Sequence, residues 1–214
     1  MKRKFILLFL SILVSFSISS CDDMTGESGA ISEESEISAK DESESAVGYE
    51  SAELSAELFD FSVKIDGVDY KLPAMQTAFT KNGWNISPNT ESVVKASFKA
   101  DATLSKGDVI FDVQVINSTK AELTFEECPI GKISYDFSGN AEIYIADGFL
   151  LNGASKTSIV EKYGEPETTE THNDFSEIIY GSRKTSGNYA KYLFRFDKNG
   201  KIIYFSITNF YMPN

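Results

Sequence analysis

From Phe59 onward apolar and polar residues alternate, and the alternation predicts a succession of antiparallel strands. Phe59, Phe61, Val63 and Ile65 fall on one side, with Asp60, Ser62, Lys64 and Asp66 on the other, the period of a half-buried strand. Asp66-Gly67 reads as a hairpin turn, after which Val68, Tyr70 and Leu72 return as far as Pro73. Residues 74–82 change period: Met75, Ala78 and Phe79 share one helical face, and Gly83 can cap its end. Trp84 then folds back over that helix as a lid on the core. Even positions from Val94 through Ala96, Phe98, Ala100, Ala102 and Leu104 predict a long strand, turned at Lys106-Gly107-Asp108. Val109, Phe111, Val113 and Val115 form the next inward row, and Leu123 and Phe125 begin another strand.

A similar order follows in the second half. A strand over residues 143–146 leads to a second Asp-Gly pair, Asp147-Gly148, and then to a firmly punctuated helix. Ser155 is its N-cap, Ile159 and Tyr163 lie one turn apart on the buried face, and Gly164 and Pro166 stop it. A meander completes the chain: residues 175–180, residues 189–197, a turn at Lys198-Asn199-Gly200, and residues 201–209. Sliding the chain by 81 residues places Asp66-Gly67 on Asp147-Gly148, Gly83 on Gly164, and Phe111, Val113 and Val115 on Tyr192, Phe194 and Phe196. Lys120 falls on Lys201 by the same shift. The expected fold is α+β, with short helices packed on one face of antiparallel sheet in two tandem repeats of about 80 residues, 58–142 and 143–214. One continuous α+β domain, or a β-sandwich followed by a separate helical-β unit, accounts for the same pattern without duplication.

The first 57 residues have a different composition. Lys2, Arg3 and Lys4 precede an apolar run over residues 5–16, and Ile18-Ser19-Ser20-Cys21 follows. This resembles the lipobox of bacterial lipoproteins. The resemblance implies a signal peptide over residues 1–20, diacylglycerol on the Cys21 thiol, and an acylated new N-terminus. Two or more acyl chains anchor stably where one does not. An uncleaved span needs ~20 apolar residues, and a plain secretory signal needs an Ala-x-Ala-like site. Residues 22–57 carry twelve acids against the single base Lys40, a net of −11, and Lys2, Arg3 and Lys4 contribute +3, so of the chain's −12 residues 58–214 net only −4. Rich in Ser and Glu, residues 21–57 read as a lipidated cysteine followed by a disordered, self-repelling tether. The expected site of work is the outer face of the cytoplasmic membrane, extracellular or periplasmic.

Candidate chemistry is sparse. With Cys21 spent on lipid, Cys128 stands alone, forms no intramolecular disulfide, and reads as an inert buried thiol. The single histidine, His172, lies in the polar stretch 170–174 and reads as an exposed loop residue without a second histidine for a metal pair. Asp197-Lys198-Asn199-Gly200 resembles the opening of a calcium loop but lacks its closing acid, which makes it a turn. Asn117-Ser118-Thr119 fits a glycosylation sequon. No basic cluster suits nucleic acid, and no catalytic, metal or cofactor residues are assigned.

Gly153, Ser155, Ile159, Tyr163, Gly164 and Pro166, followed by strands and an Asn-Gly hairpin, resemble the small-lipoprotein fold of the SmpA/OmlA family of the outer-membrane barrel-assembly machinery. They are also similar to the repeats of the secreted β-lactamase inhibitor protein. The segment from Asp66-Gly67 to Gly83-Trp84 is similar to uncharacterised lipoproteins of Gram-positive bacteria. The resemblance implies helices on one face of a sheet whose other face binds protein. The expected function is a non-enzymatic, membrane-anchored module binding a protein or an envelope polymer. An inhibitor of a secreted or envelope hydrolase is the alternative, and an uncharacterised hydrolytic enzyme a second. Tyr189, Lys191, Arg195 and Tyr204 are the candidate partner-binding residues, taken from outward strand positions because Tyr and Arg dominate interface energetics. A solvated sheet coat is the competing account of the same four residues.

Overall fold

The structure, a computed structural model, describes residues 54–89, 92–181 and 187–213. The expected export signal over residues 1–20, Cys21 and the acidic segment up to residue 53 lie outside the described residues. Among those described, no helix is long and apolar enough to cross a membrane. Ser55 already belongs to the folded body, since its carbonyl accepts the Asp147 N–H at 2.9 Å.

Local signals placed the first hairpin. β1 (Ser62–Ile65) and β2 (Val68–Lys71) pair Ile65 with Val68 across Asp66 and Gly67, whose φ values are 51° and 76°, the left-handed geometry that a tight hairpin requires. Phe59 is not on this strand. It sits in a 3₁₀ turn, Leu58–Asp60, and is 58% exposed, while Leu58 takes the buried place. α1 (Gln76–Thr80) is shorter than residues 74–82 because the backbone of Ala74 is committed elsewhere, bridging Ile130 with bonds of 2.9 and 2.7 Å. Phe79 stacks on Tyr70 at 4.1 Å. Trp84 is buried edge-on against Phe111, its backbone N–H donating to the Phe79 carbonyl.

β3 (Asn85–Pro88) follows, and then β4 (Val93–Val94) and β5 (Phe98–Lys106) stand where one long strand was expected. Ser97, at φ 53°, breaks the row. Phe98 begins β5 in the same row as the buried Ala102 and Leu104, yet at the strand's end it is 58% exposed. β6 (Val109–Asn117) carries Phe111, Val113 and Val115 inward as expected. The strand at Leu123 and Phe125 shrinks to β7 (Leu123–Thr124), which pairs β4, before a 3₁₀ turn at Phe125–Glu127. β8 (Ile130–Tyr135) was not foreseen.

β9 (Ile143–Ile145) and β10 (Phe149–Leu150) form the second hairpin, with Asp147 and Gly148 at positive φ. α2 (Lys156–Tyr163) is closed by a capping box between Ser155 and Ser158 and ended by Gly164 at φ 81°. β11 (Thr168–Thr171), also unforeseen, leads to β12 (Ser176–Tyr180), β13 (Asn188–Phe196) and β14 (Ile202–Tyr211). The Asp197–Gly200 turn is a hairpin turn as read, the Asp197 carboxylate accepting from the Asn199 and Lys201 amides.

The strands form an eight-stranded antiparallel sheet, β11-β12-β13-β14-β8-β6-β5-β3, and a four-stranded one, β10-β9-β1-β2, with the β4–β7 ribbon apart. Phe111, Ile133, Phe194, Phe205 and Ile207 from the large sheet belong to one buried cluster with Val63, Ile65, Ile143 and Ile145 from the small one. With two helices among the described residues, this is a sheet-dominated α+β fold. The pleat leaves the opposite face of the large sheet free of that core.

Candidate functional site

All four candidate residues project from the outer face of the eight-stranded sheet. On β13 the even residues Ala190, Tyr192, Phe194 and Phe196 turn inward, so Tyr189, Lys191 and Arg195 turn outward. Tyr204 pairs Arg195 across β14 and shares its face. The four do not converge. Tyr189 and Arg195 are six residues apart on one strand, or roughly 20 Å at ~3.3 Å per residue.

The Arg195 end is internally satisfied. Nε and Nη2 of Arg195 approach Glu177 Oε1 at 2.7 and 2.6 Å, and Glu177 is 9% exposed. The guanidinium lies 4.4 Å from the Phe175 ring and 5.2 Å from the Tyr204 ring. Arg195 is therefore a structural cation that presents Phe175 and Tyr204 in fixed positions. His172 is exposed, as read, but not isolated. Its ring lies 4.4 Å from Phe175 and its Nε2 3.6 Å from Glu170 Oε2. Ligand atoms of Glu170, His172 and Glu177 all lie within 4.8 Å of one another. These three could hold a divalent cation only by competing with Arg195 for Glu177. The β11–β12 pairing that sets Glu170 opposite Glu177 was invisible without β11.

The Tyr189 end is open. Tyr189 is 52% exposed and stacks on Phe210 at 4.8 Å. A groove of about 520 Å³ runs beside it, bordered by Phe98, Tyr189, Phe210, Met212 and Pro213 with Lys99, Asp101 and Gln114. Phe98 was read as core and instead borders this groove: it keeps the row of Ala102 and Leu104 but stands at the very start of β5, where nothing covers its ring. A second hollow of about 300 Å³ continues over Asp101, Asp112, Gln114, Lys132 and Ser134. Between the two ends the pairing sets Lys191 opposite Thr208 and Thr208 opposite Lys132. Lys132 and Thr208 were missed. The alternation of Lys132, Ile133, Ser134, Tyr135 and Asp136 was the available signal, obscured by Pro129 and Gly131.

The largest displacements of titration belong to buried and half-buried groups, while local hydrogen bonds lower Glu127, Asp136 and Asp197. Burial, with Glu127 and Glu126 adding to it, pushes the Cys128 thiol up to about 11, and its Sγ lies 3.4 Å from the Thr124 carbonyl. Burial likewise raises Tyr163 and Tyr192, and Tyr180 to about 12. Asn117 of the sequon is fully buried, its amide donating to the carbonyls of Val94 and Ala121, so a glycan has no access. Comparison with known proteins returned no matching family model, no matching curated protein and no matching solved structure.

Proposed function

We propose that this chain is a lipid-anchored extracytoplasmic binding module that presents the outer face of its eight-stranded sheet to a protein partner. The observation that carries the reading is the open aromatic groove, in which Phe98 and Tyr189 stand 58% and 52% exposed beside a rigid antiparallel scaffold. Exposed rings bordering a polar-floored groove mark interaction surfaces rather than a solvated coat. At the far end of the same face the Glu177–Arg195 pair holds Phe175 and Tyr204 in place, which lowers the entropy lost on docking. The role is binding rather than catalysis: the strongly displaced titratable groups among the described residues owe their displacement to the core, away from this face. Anchoring rests on Lys2 to Lys4, the apolar run and Cys21, with the acidic segment as tether.

The module consists, in this reading, of two copies of one unit. Each half runs hairpin, helix, then four strands that lie consecutively in the large sheet, β3-β5-β6-β8 in the first and β11-β12-β13-β14 in the second, the first half adding the β4–β7 ribbon. The first strands of the two halves, β1 and β9, pair antiparallel, and so do the last strands, β8 and β14. A two-fold relation between equal units produces both pairings at once. The third strands, β6 and β13, bring the rows matched at the 81-residue offset to equivalent buried positions. The second hairpin differs by one residue, Ile145 pairing Phe149.

The test is crosslinking in the native envelope with parent and Tyr189→Ala/Phe98→Ala proteins. Arg195 is left intact because its loss would strand Glu177. A partner captured by the parent and lost by the double variant, with thermal stability unchanged, supports the reading. Identical capture by both refutes it.

A further inference from the structure

We propose that the middle of the outer face is an oxyanion site, formed by Lys132, Thr208 and Lys191, which takes one carboxylate or phosphate group of whatever the face binds. The inference rests on the binding role assigned to this face and specifies its chemistry. Lys132 on β8, Thr208 on β14 and Lys191 on β13 are direct cross-strand neighbours and form one row across three strands. Lys132 and Lys191 are thus two strand spacings apart, about 9–10 Å at the backbone. Their flexible stems allow both ammonium groups to converge over the threonine between them. Neither lysine makes an ion pair among the described residues, a state they share with Lys99 and Lys156; what sets them apart is the row they form over Thr208.

Thr208 supplies the independent sign. It is 5% exposed, and its Oγ1 is buried without any hydrogen-bond partner. In the adjacent row the buried hydroxyls of Ser134 and Ser206 satisfy each other at 3.3 Å. An unpaired buried hydroxyl below two unpaired cations works against folding. A ligand that accepts from all three donors resolves both defects at once, and an oxyanion is that ligand. Nearby charges leave the row positive. Gln114, opposite Lys132 on β6, is bonded to Asp101 at 2.8 Å. Glu177 is closed by Arg195. Asp112, opposite Ser134 and diagonal to Lys132, tempers the site, as does Asp101, which lines the same hollow and is bonded to Gln114. Access is between the lysine stems, which part as the anion enters.

The experiment is an NMR titration of the purified full-length protein at pH 7 and constant ionic strength, with sodium phosphate in one arm, sodium acetate in the other and sodium chloride as control. The readouts are the Lys132 and Lys191 side-chain resonances and the Thr208 amide. Saturation at these three by phosphate identifies a phosphate ligand, and saturation by acetate a carboxylate. Lys132→Gln or Lys191→Gln should weaken binding about tenfold each, Thr208→Val should weaken it with the charge unchanged, and Lys99→Gln should have no effect. Shifts that rise linearly and equally at Lys99 and Lys156, or that survive Lys132→Gln, mean an adventitious ion only and overturn the proposal. Tyr189→Ala/Phe98→Ala should retain anion binding, so failure of this site and failure of the partner-binding role are separately visible.

Discussion

Gly131→Ala tests the strand that joins the two halves. Gly131 lies on β8 between β6 and β14, and a Cβ there would stand 2.5 Å from Ile116 Cγ1, 2.9 Å from Phe210 Cδ1 and 3.1 Å from Phe210 Cβ. Its φ is not in the left-handed region, so sterics alone decide the outcome. Over-packing by one carbon costs ~1–3 kcal/mol when neighbours must shift. Replacing glycine in a strand recovers ~0.5–1 kcal/mol by restricting the unfolded chain. A net loss of about 1–2 kcal/mol is expected. Trp84, the only tryptophan and 4% exposed, reports unfolding by fluorescence. With a urea slope of ~2 kcal/mol/M, the middle of the usual range, the midpoint should fall by roughly 0.5–1 M at unchanged slope. Ile116→Ala should be partly rescued by Gly131→Ala, since the new methyl then fills space, and the double-mutant cycle should show favourable coupling. A Gly131→Ala midpoint equal to or above the parent's, without coupling to residue 116, would refute the seating of β8 and with it the continuous eight-stranded face.

Cys21→Ala should move the protein from the membrane fraction to the soluble fraction while the Trp84 unfolding curve stays unchanged; retention at the membrane would contradict the anchor. Cys128 should resist a thiol reagent at pH 8 until the chain unfolds, because burial holds its thiol neutral to about 11. The unfolded thiol ionises near its ordinary 9.0, so this stabilising contribution is complete below pH 9 and is lost as pH rises towards about 11; Tyr180 extends the loss from 10.0 to about 12. An unfolding free energy that is flat from pH 9 to 12 would contradict this linkage. Arg195→Ala should lower stability by about 1–2 kcal/mol, less than a fully buried pair because the arginine is partly exposed, and Glu177→Ala in the same chain should recover most of it in a thermal melt. Ser155→Ala should cost about 1 kcal/mol by removing the α2 cap, measured by the same urea titration.

What the sequence determined by itself was local. Asp66-Gly67, Gly83, Gly164 and Asn199-Gly200 announce turns and helix ends because few residues adopt the backbone angles needed there. The rows Phe111-Val113-Val115 and Tyr192-Phe194-Phe196 show their buried side because a strand's period is two, whatever it pairs with. Only the tertiary structure decided which strands are neighbours. β8 is short and starts between Pro129 and Gly131, β11 is an edge strand of polar residues, and neither carries a strong apolar period, so backbone pairing rather than hydrophobicity places them. Phe98 keeps the row of Ala102 and Leu104 but is exposed because it stands at the start of β5, an end effect that alternation cannot register. The candidate site was legible one strand at a time: Tyr189, Lys191, Arg195 and Tyr204 do face outward, but their partners come from elsewhere in the chain. Glu177 meets Arg195 from β12, and Thr208 separates Lys191 from Lys132 across β14. Charge pairing and the burial of a hydroxyl are properties of cross-strand register, and register is fixed only when the whole sheet closes around one core.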